Sequence, residues 1–216
     1  KNEDIKEAIS IVGDENFTSS LSSSVNLQLS IAQAKNITET HVLNAYAVSQ
    51  SWNEGTGRYL NNPTSSNGCS WRFRDNSITA TEWATSSFGT GGGTGSISSS
   101  VLTPGGGTWY TGSNFFGTQQ FLKGDSLDTD INVTEIIHKF SASINAGQTY
   151  PQGIDNHGFL IKTLDSVESN ASSSFGELQY FSTDTHTIYP PKLCFKWYDV
   201  INQTGQYDSN LVVSVS

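Results

Sequence analysis

Methionine is absent from this 216-residue chain, cysteine occurs twice, proline five times, and basic residues number 11 against 20 acidic ones. Each scarcity excludes something. With a net charge of −9 and a pI near 4.7, the surface repels phosphate backbones and anionic lipid, so neither nucleic acid nor a membrane surface is an expected partner. No run of 18 apolar residues occurs, and a membrane-spanning helix needs about that many. The opening KNEDIKEAIS is polar and mixed in charge, unlike the apolar centre of a signal peptide. The missing Met predicts that a few residues, and an N-terminal strand with them, precede Lys1. Cys69 and Cys194 stand 125 positions apart and match no zinc spacing, so free buried thiols are the expectation.

What the chain has in quantity is small and polar. Ser and Thr make 54 of the 216 residues and Gly another 20, a composition that favours strands and loops over helices. A chain of this length buries roughly 70% of its unfolded surface, enough for one domain over residues 1–216. Alternation marks the strands. Leu27, Leu29 and Ile31 share one face of NLQLSIA, and Leu193, Phe195 and Trp197 alternate, as do Leu211, Val213 and Val215. HVLNAYAV, GFLIK and ELQYF also read as strands, whereas residues 18–24 and 35–40 read as polar connectors. One helical stripe occurs: Val133, Ile136, Ile137 and Phe140 fall at i, i+3, i+4 and i+7, with Asn132 or Thr134 as cap and Glu135 at the positive end. The pattern predicts an all-β fold, a single β-sandwich or jelly roll with long ordered loops and one short helix over about 133–141.

Candidate chemistry is thin. The carboxylates Glu54, Asp128, Asp130, Glu135, Glu168, Glu177, Asp184 and Asp199 contain no spacing that places two on opposite sides of a sugar, as glycoside hydrolysis requires. His41, His138, His157 and His186 form no HExxH pair. DTDIN at 128–132 sets oxygens at alternate positions but lacks the Gly and distal Glu of a calcium loop. In STDTHT, strand alternation would put Asp184 and His186 on one face as a simple pair. The Gly91–Gly93 and Gly105–Gly107 runs lack the helix and Lys of a phosphate loop. No metal, cofactor or catalytic residue is expected. Five Asn-X-Ser/Thr sequons, at Asn16, Asn36, Asn132, Asn170 and Asn202, are no more than a Ser/Thr-rich chain generates.

The aromatics are more informative. Trp52, Trp71, Trp83, Trp109 and Tyr110 sit beside Gly and Ser in segments rich in turn formers. Such rings either stack on sugars or pin long loops to a core, and the second use is the commoner.

VSQSWNEGTGR (48–58), NGCSWRFRD (67–75), EW (82–83), GGGTWYTGS (105–113), DINVTEIIHKF (130–140), NHGFLIK (156–162) and ELQYFSTDTHTIYPPKLCFKWYD (177–199) form a series along most of the chain. That series resembles structural proteins of marine tailed phages, cyanophages among them, and is similar in pattern to the DNRLRE-type β-sandwich domain. The matching features are Trp52 with Glu54, Ser70 with Trp71, Asn132 through Thr134, and Gly158 through Leu160. The literal DNRLRE string is absent; SVNLQLSI stands in its place. The resemblance implies a noncatalytic virion component assembled in bacterial cytoplasm, a capsid-decoration, neck or tail-associated protein that binds other virion proteins and copies of itself. The alternative expectation is a carbohydrate-binding module for host surface glycans, with the five rings as stacking candidates.

Overall fold

The computed structural model of the chain describes residues 23–37, 40–57, 67–84, 92–94, 107–110, 112–144, 153–164, 176–185, 187–199 and 208–215. These are mostly strands in antiparallel sheets, with one α-helix, so the fold is all-β as the alternation predicts. The chain divides into two compact units, Lys1–His41 with Gly117–Ile154 and Phe175–Ser216, and Val42–Phe116 with Asp155–Ser174.

The first unit holds β1 (Ser23–Leu29) and β2 (Ile31–Lys35), and the second unit takes all but the first residue of β3 (His41–Ala47). β4 (Phe73–Asp75), β5 (Thr81–Glu82), β6 (Gly92–Thr94) and β7 (Thr108–Tyr110) belong to the second unit. β8 (Phe116–Phe121, all but its first residue), β9 (Thr129–Asn132) and α1 (Thr134–Ile144) return to the first. β10 (Phe159–Lys162) lies in the second unit, and β11 (Glu177–Tyr180), β12 (Lys192–Asp199) and β13 (Asp208–Val215) complete the first.

In the first unit a four-stranded antiparallel sheet runs β13-β12-β1-β9. Its register aligns Val25 with Phe195 and places Leu27 between Leu193 and Ile131. Period-two alternation then separates the faces. Val25, Leu27, Thr129, Ile131 and Phe195 are buried, whereas Asp130 and Asn132 are exposed. On the polar face the Asp130 carboxylate accepts from Asn26 Nδ2 and Gln28 Nε2, each at 3.0 Å, and lies 3.7 Å from Lys196 Nζ. One carboxylate thus ties together residues of three adjacent strands.

α1 begins one residue later and ends three residues beyond the predicted span. Its start is stitched to β1: the Val133 N–H donates to the Val25 carbonyl at 2.8 Å, and the Val25 N–H donates to Thr134 Oγ1 at 2.8 Å. Asn132 Oδ1 accepts from the Thr134 N–H at 3.0 Å and from its hydroxyl at 2.7 Å, which supplies the expected cap. Val133, Ile136, Ile137 and Phe140 are all buried, so the 3.6-residue stripe forms the core face. Burial of each such side chain contributes about 1.5–3 kcal/mol. Gly117 in β8 is fixed by contact rather than conformation, because a Cβ there would stand 2.1 Å from the Asn132 carbonyl oxygen. His41 lies flat on Phe121, with ring centroids 4.7 Å apart.

The described residues of STDTHT do not form a strand. Thr183–Thr185 forms a 3-10 turn, closed by the Thr185 N–H and hydroxyl, which both donate to the Ser182 carbonyl. Hydroxyl side chains at this density compete with ladder bonds for the backbone. Asp184 is therefore exposed on a turn, and His186 lies outside the described residues. The DTDIN carboxylates serve the sheet: Asp128 Oδ1 accepts from the Ile31 N–H at 2.7 Å, and Asp130 belongs to the cross-strand group above. Among the described residues no three His, Cys, Asp or Glu gather as metal ligands.

Candidate functional site

In the second unit β3 pairs antiparallel with β10, setting Ala47 opposite Phe159, Tyr46 opposite Leu160, Ala45 opposite Ile161 and Asn44 opposite Lys162. Beyond the end of β3, Val48 bridges to Trp109 on β7, and its N–H donates to the Gly158 carbonyl at 3.1 Å. Two loop segments then stack beside this framework. The Asn53 N–H donates to the Arg74 carbonyl at 2.9 Å and the Cys69 N–H to the Asn53 carbonyl at 2.7 Å, while within the second segment the Ser70 N–H donates to the Phe73 carbonyl at 2.7 Å. Residues 51–57 are therefore zippered to 67–75 without forming a long strand pair.

Two glycines permit that closeness. A Cβ on Gly68 would meet the Glu54 carbonyl oxygen at 2.3 Å, and one on Gly55 would meet the Gly68 Cα at 2.5 Å. Gly55 also has φ +76°, a conformation that L side chains rarely adopt. NEGTG and NGCS are thus two halves of one backbone contact.

This construction forms a mostly apolar, half-open pocket of about 390 Å³ between the sheet end and the loops. Phe159, Leu160 and Ile161 line one part, with Val48 and Thr108; Trp52, Cys69, Ser70, Trp71 and Trp83 line the other. The five predicted rings divide by role. Trp83 is buried, and its Nε1–H donates to the Ser70 carbonyl at 2.9 Å. Trp52 is 40% exposed, and its Nε1–H donates to the His157 carbonyl at 2.7 Å. Trp71 is 64% exposed at the pocket. Trp109 is 4% exposed and does not line the pocket, and Tyr110 is half-buried against Phe115, with centroids 5.2 Å apart. Burial, and secondarily the Asp155 charge, pushes the Tyr110 phenol above its ordinary pKa.

Sequence reasoning missed Lys162. Its side chain is buried, with Nζ 4.6 Å from the Trp109 ring centroid and 5.9 Å from that of Tyr46. Such cation–ring contacts partly compensate the loss of water around an ammonium. The pocket residues of β10 were legible only as a strand, since nothing local in GFLIK shows which loops face it.

Cys194 is buried as expected, but Cys69 is exposed, and both are free. Cys69 lies outside the core because it belongs to the zippered loop, where its backbone is held and its side chain lines the pocket. Partial burial raises its pKa, helped by the Glu54 charge and opposed by a backbone hydrogen bond.

Among the described residues, the carboxylates named from the sequence are dispersed. Glu54 lies on the zippered loop, Glu135 in the first turn of α1, and Glu177 pairs with Lys35 at 3.3 Å. Among the described residues none lines the pocket. Glu168 and the Asp199 side chain lie outside the described residues, as do Gly91 and Gly105–Gly106. No protein-family model matches the chain, nor does any curated protein or solved structure.

Proposed function

We propose that the chain is a noncatalytic recognition module that binds carbohydrate at the aromatic pocket, with Trp71 as the stacking platform. The observation carrying this reading is the contrast among the rings. Trp83 and Trp52 are pinned through their indole N–H groups, whereas Trp71 offers 64% of its surface to solvent beside a pocket of about 390 Å³. A volume in this range suits a small ligand, and a flat exposed ring beside it suits the apolar face of a sugar. The pocket's lack of Asp and Glu among the described residues supports binding over glycoside cleavage, which uses two carboxylates.

The test is a glycan array of bacterial surface polysaccharides, probed with the protein and with Trp71→Ala. Binding that Trp71→Ala abolishes while its circular dichroism spectrum is retained is the expected result. No binding to any glycan, or equal binding by the variant, overturns the reading.

A second reading, compatible with the first, is a structural component of a tailed-phage virion that contacts other virion proteins. Its support is the motif series together with one surface feature of FSTDTHTIYPPK. There Ile188 is 77% and Tyr189 49% exposed, and the Tyr189 ring stacks on Phe181 at 5.7 Å. Apolar side chains held at a surface suit coverage by a neighbouring subunit. Mass spectrometry of purified particles tests this reading, and absence of the protein from them removes it.

A further inference from the structure

Among the described residues, several side-chain polar groups around the pocket are engaged by the protein itself. The Trp52 and Trp83 indole N–H groups donate to the His157 and Ser70 carbonyls, at 2.7 and 2.9 Å. Thr108 Oγ1 donates to Gln50 Oε1 at 2.9 Å, and that same oxygen receives the Ala84 N–H at 2.9 Å. Ser70 Oγ accepts from the Phe73 N–H at 3.1 Å. The Lys162 ammonium lies against the Trp109 ring. The remaining described lining is Val48, Phe159, Leu160, Ile161, Gly107, the Cys69 thiol and the ring surfaces, so most of it is apolar.

A sugar hydroxyl that enters such a space gives up its water and finds few partners, which weakens binding for each group left unpaired. A methyl group there gains contact instead. Resting on the carbohydrate reading, we infer that the pocket selects sugars carrying a methyl group, that of a 6-deoxy sugar or of an acetamido substituent whose amide N–H and C=O stay in the water-facing mouth, while Trp71 stacks on the ring of the same residue. Discrimination of one methyl-sized group by an apolar pocket amounts to about 10- to 200-fold.

The experiment uses the free sugars glucose, galactose and mannose in both D and L series, each beside its 6-deoxy and its 2-acetamido-2-deoxy derivative. Calorimetric titration ranks them, and saturation-transfer NMR reads which ligand protons lie closest to the protein. The expected result is that, in at least one series, a derivative binds at least about 10-fold more tightly than its parent. The strongest saturation then falls on its methyl protons, and the signal is lost in Trp71→Ala. Preference for the 6-deoxy arm alone identifies a deoxy sugar, and preference for the acetamido arm alone identifies an N-acetyl sugar. Parents that bind as tightly as their derivatives overturn the inference while leaving carbohydrate binding intact. Failure of every sugar in every series, together with a blank glycan array, removes both.

Discussion

Replacing Gly68 by Ala tests whether the backbone contact beside the pocket organises the loops. The added Cβ would stand 2.3 Å from the Glu54 carbonyl oxygen, 2.9 Å from the Glu54 carbonyl carbon and 3.1 Å from the Gly55 Cα. All three neighbours are backbone, so no flexible side chain can turn aside. Ordinary contact begins near 3.4 Å, and the two segments must therefore part by about 1 Å. The bond from the Cys69 N–H to the Asn53 carbonyl, 2.7 Å long, would then exceed hydrogen-bond range, a loss of about 0.5–1.5 kcal/mol. Overpacking adds about 1–3 kcal/mol, and the smaller unfolded-state entropy of Ala returns about 0.4–1 kcal/mol. The expected destabilisation is about 1–3 kcal/mol, read as a lower urea midpoint with an unchanged slope. Gly124→Ala is the control, since nothing lies within 4 Å of its Cβ and its cost comes only from φ +92°. Ligand binding should fall in Gly68→Ala and persist in Gly124→Ala. A Gly68→Ala unfolding free energy within about 0.3 kcal/mol of the parent's would refute the claim that the two glycines set the loop spacing.

Ile137→Ala, which removes a fully buried side chain from the α1 stripe, should cost about 2–5 kcal/mol in urea unfolding, and a loss below about 1 kcal/mol would place the helix outside the core. The Tyr180 phenol, pushed up to about 12 first by burial and then by the Asp128 charge, stays neutral in the folded state. Its stabilising contribution is therefore complete below the unfolded phenol's pKa, near 10, and disappears as pH rises toward about 12. Alkaline titration followed by phenolate absorbance should show a late phenol that Tyr180→Phe removes, and its persistence in that variant would reassign it. A disulfide-exchange reagent should label one thiol, Cys69, in the folded protein and two in denaturant; two rapid labels in the folded state would contradict the burial of Cys194.

The readable parts of the sequence were those in which one face is apolar for a full period or more. Val133, Ile136, Ile137 and Phe140 marked the helix, and alternation marked β1 and β12, but Leu27, Leu29 and Ile31, read as one face of one strand, divide between β1 and β2, which pair in different sheets. β9 was harder because TDIN carries one aliphatic residue and runs directly into the helix, so its alternation of Thr129 and Ile131 with Asp130 and Asn132 was hidden in the helical pattern. β4, β5, β6 and β7 are only two or three residues long, too short to display a period. STDTHT had the right spacing for a strand but hydroxyls that bond locally. At the pocket the rings could be named but not sorted. Exposure of Trp71 and burial of Trp109 depend on loop zippering and on the β3–β10 register, which pair residues about 20 and more than 100 positions apart.

The placement of β1 has a kinetic side. Ser23 aligns with Trp197 and Leu27 with Ile131, so the strand made earliest among the described ones has partners synthesised far later on both sides. While the chain is growing, its alternating face and both its edges wait uncovered, and the sheet closes only when distant segments arrive. The polar residues Asn26 and Gln28, which later converge on Asp130, interrupt Val25 and Leu27 during that wait. They make this strand a poor template for the wrong neighbour before they tie it to the right one.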